Sequence, residues 1–275
     1  MTTILSSKNP HPRDAQIQFF ETDHKYSILC DPDSKYTSVT TWNHTHFEKF
    51  DADKIIKNMM KGRNWNPTNK YWGLSAEQIK TLWSSNVEAA AGTALHYQIE
   101  CFMNNPKFTT GDYTHQDLYA NYIITNPDYK TTTPLEWQYF IQFIQETPHL
   151  KPYRTEWTVY NEDIKIAGSI DMIYENPDGT LSIYDWKRTK NITRINNFNK
   201  FALTSCICHL PDSNFWHYSL QLNTYKSILE KKYEKTITEL VLVRLHPDAE
   251  EQTYELISLP ILNREIDDLY SLLQS

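Results

Sequence analysis

Glycine is scarce in this chain, 6 in 275 residues, and cysteine is scarcer still at 4. Cys30, Cys101, Cys206 and Cys208 are too few and too unevenly spaced to staple a disulfide scaffold, and Cys-x-Cys is not a usual zinc pairing, so free thiols are expected. No apolar run approaches the roughly 20 residues that span a membrane. The N-terminal stretch MTTILSSKNPHPRD also lacks the apolar core of a signal peptide. These absences point to a soluble, intracellular protein, cytoplasmic or nuclear, with no membrane partner. On that view the sequons at Asn43 and Asn191 are accidental. Internal repeats and low-complexity linkers are missing too.

What is present is ordinary in bulk and uneven in distribution. Hydrophobic content of 40% and charged content of 22% exclude wholesale disorder and give ample material for a core. The 18 tyrosines and 8 tryptophans fit core packing first, although aromatics also stack on bases. A net charge of −7 argues against a nucleic-acid partner only until it is mapped. From His246 to Ser275 there are seven acids against Arg264 alone, so the rest of the chain is near −1. Lys187, Arg188, Lys190, Arg194 and Lys200 follow one another without an acid between them. Such a run is either a solvated loop or a grip for a phosphate backbone.

The most informative stretch is Ile164–Thr189. Two apolar, β-branched runs flank Asn176-Pro177-Asp178-Gly179, which predicts an antiparallel hairpin. Asp171 lies between Ile170 and Met172 on the first strand; Asp185 and Lys187 flank Trp186 on the second. With side chains alternating, Asp185 and Lys187 share a face with Ile183, and both faces are largely apolar, as in a central strand. Burying two acids and a lysine costs several kcal/mol per ion unless they are paired or hold a metal. Taken alone, Asp-x-Lys reads first as a surface ion pair, the ordinary fate of such residues.

Around this hairpin the periodicity predicts helices at Asp51–Lys61, from Ser75 with its capping-box Gln78, at Val87–Met103, Leu135–Gln145, Phe215–Lys231 and Asn263–Leu273. Strands are expected at Ile17–Phe20, Lys25–Leu29, Arg154–Tyr160, Glu239–Leu245 and Thr253–Leu259. Tyr36–Phe50 opens with a Ser/Thr cluster that suits either a strand or a helix cap. In Val87–Met103 the small residues Ala89, Ala90, Ala91, Gly92 and Ala94 are expected to allow close packing on a sheet. His96 and Glu100 lie one helical turn apart, which suits a surface pair or part of a metal shell. Glu156 is either an outer carboxylate of the site or a plain edge charge.

The pieces gain specificity from their order: Gly92-Thr93-x-x-His96-x-x-x-Glu100, Gly168-x-x-Asp171, Asp185-x-Lys187, then Gln221-x-x-x-Tyr225. This order resembles the RecB-like branch of the PD-(D/E)XK nucleases, which includes lambda-type exonucleases, over roughly residues 92 to 229. Ser169-Ile170 stand where the superfamily's proline motif would be, and Asp185 stands where Glu is commoner. The resemblance implies an α/β fold: a mixed sheet flanked by helices with a restriction-endonuclease-like core over 86–275, after a mostly helical extension over 1–85. It implies a Mg²⁺- or Mn²⁺-dependent deoxyribonuclease, an exonuclease of replication, recombination or repair acting on single- or double-stranded DNA. Asp171, Asp185, His96, Glu100 and the Trp186 backbone carbonyl would hold metal. Lys187 would orient or deprotonate the attacking water. Gln221, Tyr225, Arg188, Thr189 and Lys190 would touch substrate or brace the site. The cysteines do not match the iron–sulfur ligand set of some relatives, because Cys206 and Cys208 precede the Gln221 helix and none follows it. A non-cleaving nucleic-acid-binding or assembly protein on the same fold, and a sequence-specific endonuclease, are the alternatives.

Overall fold

In the computed structural model, which describes residues 3–85 and 87–274, the runs either side of Asn176-Pro177-Asp178-Gly179 pair as a hairpin. Its turn chemistry is local. Gly179 takes a left-handed φ of 81°, which only glycine adopts without strain, and the Asp178 carboxylate accepts the Thr180 amide at 3.0 Å. The chain runs α1 (Ile4–Lys8), β1 (Ile17–Phe20), β2 (Lys25–Ile28), β3 (Thr37–Ser38), α2 (Val39–His44), α3 (Ala52–Lys61), α4 (Ala76–Ser84) and α5 (Val87–Met103). It continues α6 (His115–Thr125), α7 (Tyr129–Thr132), α8 (Leu135–Glu146), β4 (Lys151–Asn161), β5 (Ile166–Glu175), β6 (Leu181–Lys187), α9 (Asn214–Lys232), β7 (Ile237–Arg244), β8 (Glu255–Ser258) and α10 (Asn263–Gln274).

β1 and β2 form a small hairpin, and the other six strands form one mixed sheet. β4 runs antiparallel along β5, and β6 runs antiparallel to β5, parallel to β7, with β8 antiparallel at the edge. Because β4 occupies one edge of β5 throughout, β3 and β6 must share the other. β3 lies beside Ile166 and Ala167, and β6 beside Met172 to Glu175. Residues 168–171 therefore have no ladder partner on that side, and the sheet forks there.

Alternation along the strands divides the core in two. Met172, Tyr174, Tyr184, Trp186, Val241 and Val243 pack with Leu95, Ile99 and Phe102 of α5 and Phe140, Phe143 and Ile144 of α8. Ile173, Ile183, Leu240 and Leu242 pack with Val39 and Trp42 of α2, Leu222, Tyr225 and Ile228 of α9 and Ile266 and Leu269 of α10. The result is a sheet flanked by helices on both faces. Each fully buried side chain such as Phe140 or Ile183 contributes on the order of 1.5–3 kcal/mol.

The Ser/Thr cluster before α2 serves both expected purposes: Thr37 and Ser38 pair with β5, and Ser38 Oγ caps α2 by accepting the Thr41 amide at 3.1 Å. Residues 3–85 hold three strands as well as α1 to α4, and Ile17, Ile28, Tyr36, Val39 and Trp42 are buried in the same cluster as Ile183. The boundary expected at residue 85 falls just before α5, and Asn86 lies outside the described residues. α6 and α7 have no counterpart among the elements expected from the sequence. A local signal for α6 existed in Thr114-x-x-Asp117, whose carboxylate accepts the Thr114 amide at 2.8 Å. Among the described residues no helix is long and apolar enough to cross a membrane.

One expectation is corrected. The small residues of α5 do not pack on the sheet: Ala89, Ala90 and Ala94 are exposed, and a methyl added at Gly92 would meet nothing within 4 Å. The helix docks through Leu95, Ile99, Phe102 and Met103 instead. These larger apolar residues recur at a helical spacing and supply the buried stripe, leaving the first turns clear of the sheet.

Candidate metal centre

The fork in the sheet creates the site. Beyond Met172↔Tyr184 the β5–β6 ladder stops, and Asp171 Oδ2 accepts the Trp186 backbone N–H at 3.0 Å. A side-chain carboxylate thus satisfies a donor that the neighbouring strand leaves unpaired. β6 meanwhile stays paired with β7 as far as Lys187↔Arg244, so its charged end is held firmly.

α5 brings His96 to the same place. Its Nδ1 is 3.5 Å from Asp171 Oδ2, and its Nε2 is 3.0 Å from the Trp186 carbonyl oxygen. Leu95 and Ile99, buried on either side of His96, fix the rotation of the helix. Glu100, on the next turn, is half-buried, and burial raises its carboxyl above the ordinary range.

Glu156 completes the set. In β4 the register puts Thr155 across from Met172 and Trp157 across from Ile170, so Glu156 stands opposite Asp171. It takes a φ of 43°, a left-handed conformation that a glutamate inside a strand holds only at a cost of about 1–3 kcal/mol. Ser169 Oγ donates to Glu156 Oε2 at 2.9 Å. Burial, then the Asp171 charge, push the Glu156 carboxyl up to about 7, against the weaker pull of Ser169 and His96. Among the described residues, His96, Glu156 and Asp171 are the one group whose ligand atoms all lie within 4.8 Å of one another.

Asp185 and Lys187 adjoin this group on β6. Asp185 is almost wholly buried, and burial and the Asp171 charge raise it to about 6 despite the neighbouring lysine. Lys187 Nζ is 2.5 Å from Asp185 Oδ2. The two form a close ion pair, with Oδ2 itself buried. Burial acts to lower the Lys187 pKa, but the charges of Asp185 and Asp171 outweigh it and leave it raised. The ammonium also sits 4.5 Å from the centre of the Tyr218 ring.

The other predicted site residues divide. Tyr225, on α9, lies against the β5 backbone at Gly168: a Cβ there would be 2.7 Å from Cε1 and 2.8 Å from the hydroxyl of Tyr225. Gly168 is thus required by close approach, and Gln221 reaches the Tyr225 hydroxyl. Arg188 is not a free cation. Its Nε pairs with Glu136 at 3.0 Å and its guanidinium with Glu88, so it ties β6 to α8 and α5. Thr189 Oγ1 donates weakly to the Asn191 carbonyl at 3.4 Å, and the Lys190 side chain is exposed while its carbonyl accepts from Arg244 at 2.7 Å.

The donor set fits a divalent cation. Two carboxylates and an imidazole converge, and burial together with the Asp171 charge raises the carboxyls of Glu156 and the adjoining Asp185. Acids crowded in this way carry negative charge that a bound cation would offset. One ion with ligands at about 2.1 Å allows them to stand up to about 4.2 Å apart, so a shift of under about 1 Å would close the set. Oxygen-rich donors with one imidazole suit Mg²⁺ or Mn²⁺. The four cysteines are free, and none lies in this group. Compared with protein-family models and with curated proteins, the chain finds no match in either.

Proposed function

We propose that this chain is a Mg²⁺- or Mn²⁺-dependent deoxyribonuclease that hydrolyses phosphodiester bonds, acting as an exonuclease in replication, recombination or repair. The observation that supports this most is the fork of β5 and β6, where the ligand group His96, Glu156 and Asp171 adjoins the buried Asp185–Lys187 pair. The order of motifs noted in the sequence favours nuclease chemistry over other uses of such a centre.

Asp171, Asp185, Glu156 and His96 would hold the metal, with the Trp186 carbonyl beside His96 and Glu100 one turn away. When bound, a divalent ion supplies Lewis-acid polarisation of the phosphate and a lowered pKa for water. The protein's own contribution centres on Lys187. Its raised pKa keeps it an ammonium at neutral pH, so it serves as a donor that orients water and neutralises charge on the phosphate rather than as a base. Asp185 and the Tyr218 ring fix its position from two sides. Gln221 and Tyr225 brace β5 through Gly168, and Arg188 anchors the end of β6.

Labelled linear and circular DNA incubated with Mg²⁺ or Mn²⁺, with and without chelator, tests this reading. The expected result is metal-dependent shortening of linear DNA with the circle intact. Discrete fragments from the circle would make it an endonuclease, and binding without any products would make it a non-cleaving nucleic-acid protein.

A further inference from the structure

From Trp186 to Pro211 the chain has no acidic residue and five lysines or arginines. This segment leaves β6 directly after Lys187 and leads to α9, which carries Tyr218 beside that lysine. It is not a slack loop. Thr193 donates to the Asn214 side chain at 2.8 Å, and Asn214 donates back to the Asn191 carbonyl at 2.8 Å. The Trp216 indole donates to the Arg194 carbonyl at 3.0 Å. Each of these bonds ties the segment to the first turn of α9, whose later turns carry Tyr218, Gln221 and Tyr225.

Its tip is built to hold side chains outward. Asn196 accepts the Phe198 amide at 2.8 Å and donates to the Asp212 carbonyl at 2.6 Å, while Asn199 turns the chain with a φ of 53°. Ala202, Ile207 and Leu210 face inward and are buried in the core. Ile195, Phe198 and Phe201 remain 70%, 83% and 46% exposed, so they are not what packs the segment down. Of its cations, Lys200 pairs with Glu48 at 2.5 Å and Arg188 with two acids. Lys190 and Arg194 have no acidic partner among the described residues; the Arg194 guanidinium lies 4.0 Å from the Phe215 ring centre.

We infer that residues 190–203 form a finger that receives an unpaired strand of DNA, with phosphates on Lys190 and Arg194 and bases stacked on Phe198 and Phe201. The inference rests on the proposed nuclease activity for its partner and deepens it by naming the form of DNA. Exposed cations that make no ion pair of their own call for a polyanion. Exposed phenyl rings call for a flat apolar face, which a duplex hides inside its base stack and a single strand presents at every nucleotide.

The test uses the full chain in chelator, with a fluorescent single-stranded oligonucleotide, the matching blunt duplex and vesicles rich in anionic lipid. Phe198→Ala and Arg194→Ala are surface changes that leave the fold intact. The expected result is single-strand binding that weakens roughly ten-fold in Phe198→Ala, the scale of one lost stacked base. Duplex binding should be weaker and indifferent to Phe198, and Arg194→Ala should shallow the salt dependence. Equal single-strand affinity in wild type and Phe198→Ala overturns the finger even if the wild type cleaves DNA. Vesicle binding lost in Phe198→Ala, without oligonucleotide binding, overturns it in favour of a membrane surface. Phe198-dependent strand binding in a protein that cuts no DNA with either metal supports the finger and removes the nuclease reading.

Discussion

Two histidines on the helical layer above Trp186 and Tyr174 have opposite surroundings. His115, on α6, is fully buried. Its Nδ1 meets the Thr147 hydroxyl at 2.8 Å and its Nε2 the Tyr174 hydroxyl at 2.9 Å. Burial, with a smaller push from His149, drives its pKa down to about 3. It is a neutral ring with both nitrogens satisfied by hydroxyls, and it has no room for a ligand. His96 is part-exposed and faces the Asp171 carboxylate and the Trp186 carbonyl, with Glu156 close by. Burial alone does not mark a functional histidine. What marks it is a surplus of acceptors and negative charge around the ring, which a hydroxyl pair does not supply.

The largest effect should come from the ordinary histidine. His115→Ala opens a cavity and strands the Tyr174 hydroxyl in the core, which together cost about 3–4 kcal/mol. Urea denaturation should show that loss, while the metal concentration needed for activity stays unchanged. A changed metal requirement in folded His115→Ala protein would erase the contrast.

Lys187 sharpens the contrast from the other side. Lys187→Ala should slow cleavage by at least about 10²-fold, the scale of losing one positioned donor to developing charge, with metal binding largely retained. Asp171→Ala should lose metal binding itself, and it also leaves the Trp186 amide without its acceptor. Single-turnover rates across a Mn²⁺ titration separate the two. Retained activity in folded Asp185→Ala protein would remove that residue from the centre.

The acids at the centre predict a pH dependence. Glu156 holds its proton up to about 7 in the fold against an ordinary 4.5, and Asp185 up to about 6 against 3.8. Between the ordinary and the folded value the native state binds more protons than the unfolded chain, so stability falls as pH rises through that window. Metal-free protein should therefore lose melting temperature from about pH 4 to pH 7. Glu156→Gln should flatten much of that slope and, after discounting for its partial exposure, recover about 2 kcal/mol at pH 8. Added Mn²⁺ should reverse the slope in the wild type, because ligands must be deprotonated to bind. A flat profile in metal-free wild type would show that the centre stores no such charge.

Why the sequence revealed some of this and not the rest is a matter of range. The β5–β6 hairpin, α5 and α9 follow from alternation, helical period and turn residues within a dozen positions. The ladder bonds and the Asp178–Thr180 turn then agree with local preference. Glu156 reads in sequence as either an edge charge or an outer carboxylate because two non-local facts decide its place: its register against Asp171 and its left-handed φ. α6 gives no periodic signal because Leu118 is the one apolar side chain it buries fully. The Ala/Gly run of α5 misled because small residues permit close packing without requiring it. At Gly168, by contrast, the Tyr225 ring does require it.

The smallest predicted effect is the most discriminating. His96→Ala removes a part-exposed ring, so the fold should lose under about 1 kcal/mol, far less than with His115→Ala. It leaves the Trp186 carbonyl open to water and takes one nitrogen from the ligand group, while Asp171, Asp185 and Glu156 remain. The metal concentration for half-maximal activity should rise about ten-fold, the low end for disturbing a ligand shell, with the rate at saturating metal little changed. Metal-induced stabilisation in a melting experiment should shrink in parallel, an effect independent of turnover. If His96→Ala instead destabilised the metal-free protein as much as His115→Ala and left the metal titration alone, His96 would be a second structural histidine. The metal would then be left to carboxylates alone at the fork in the sheet, with no nitrogen to favour Mn²⁺ over Mg²⁺.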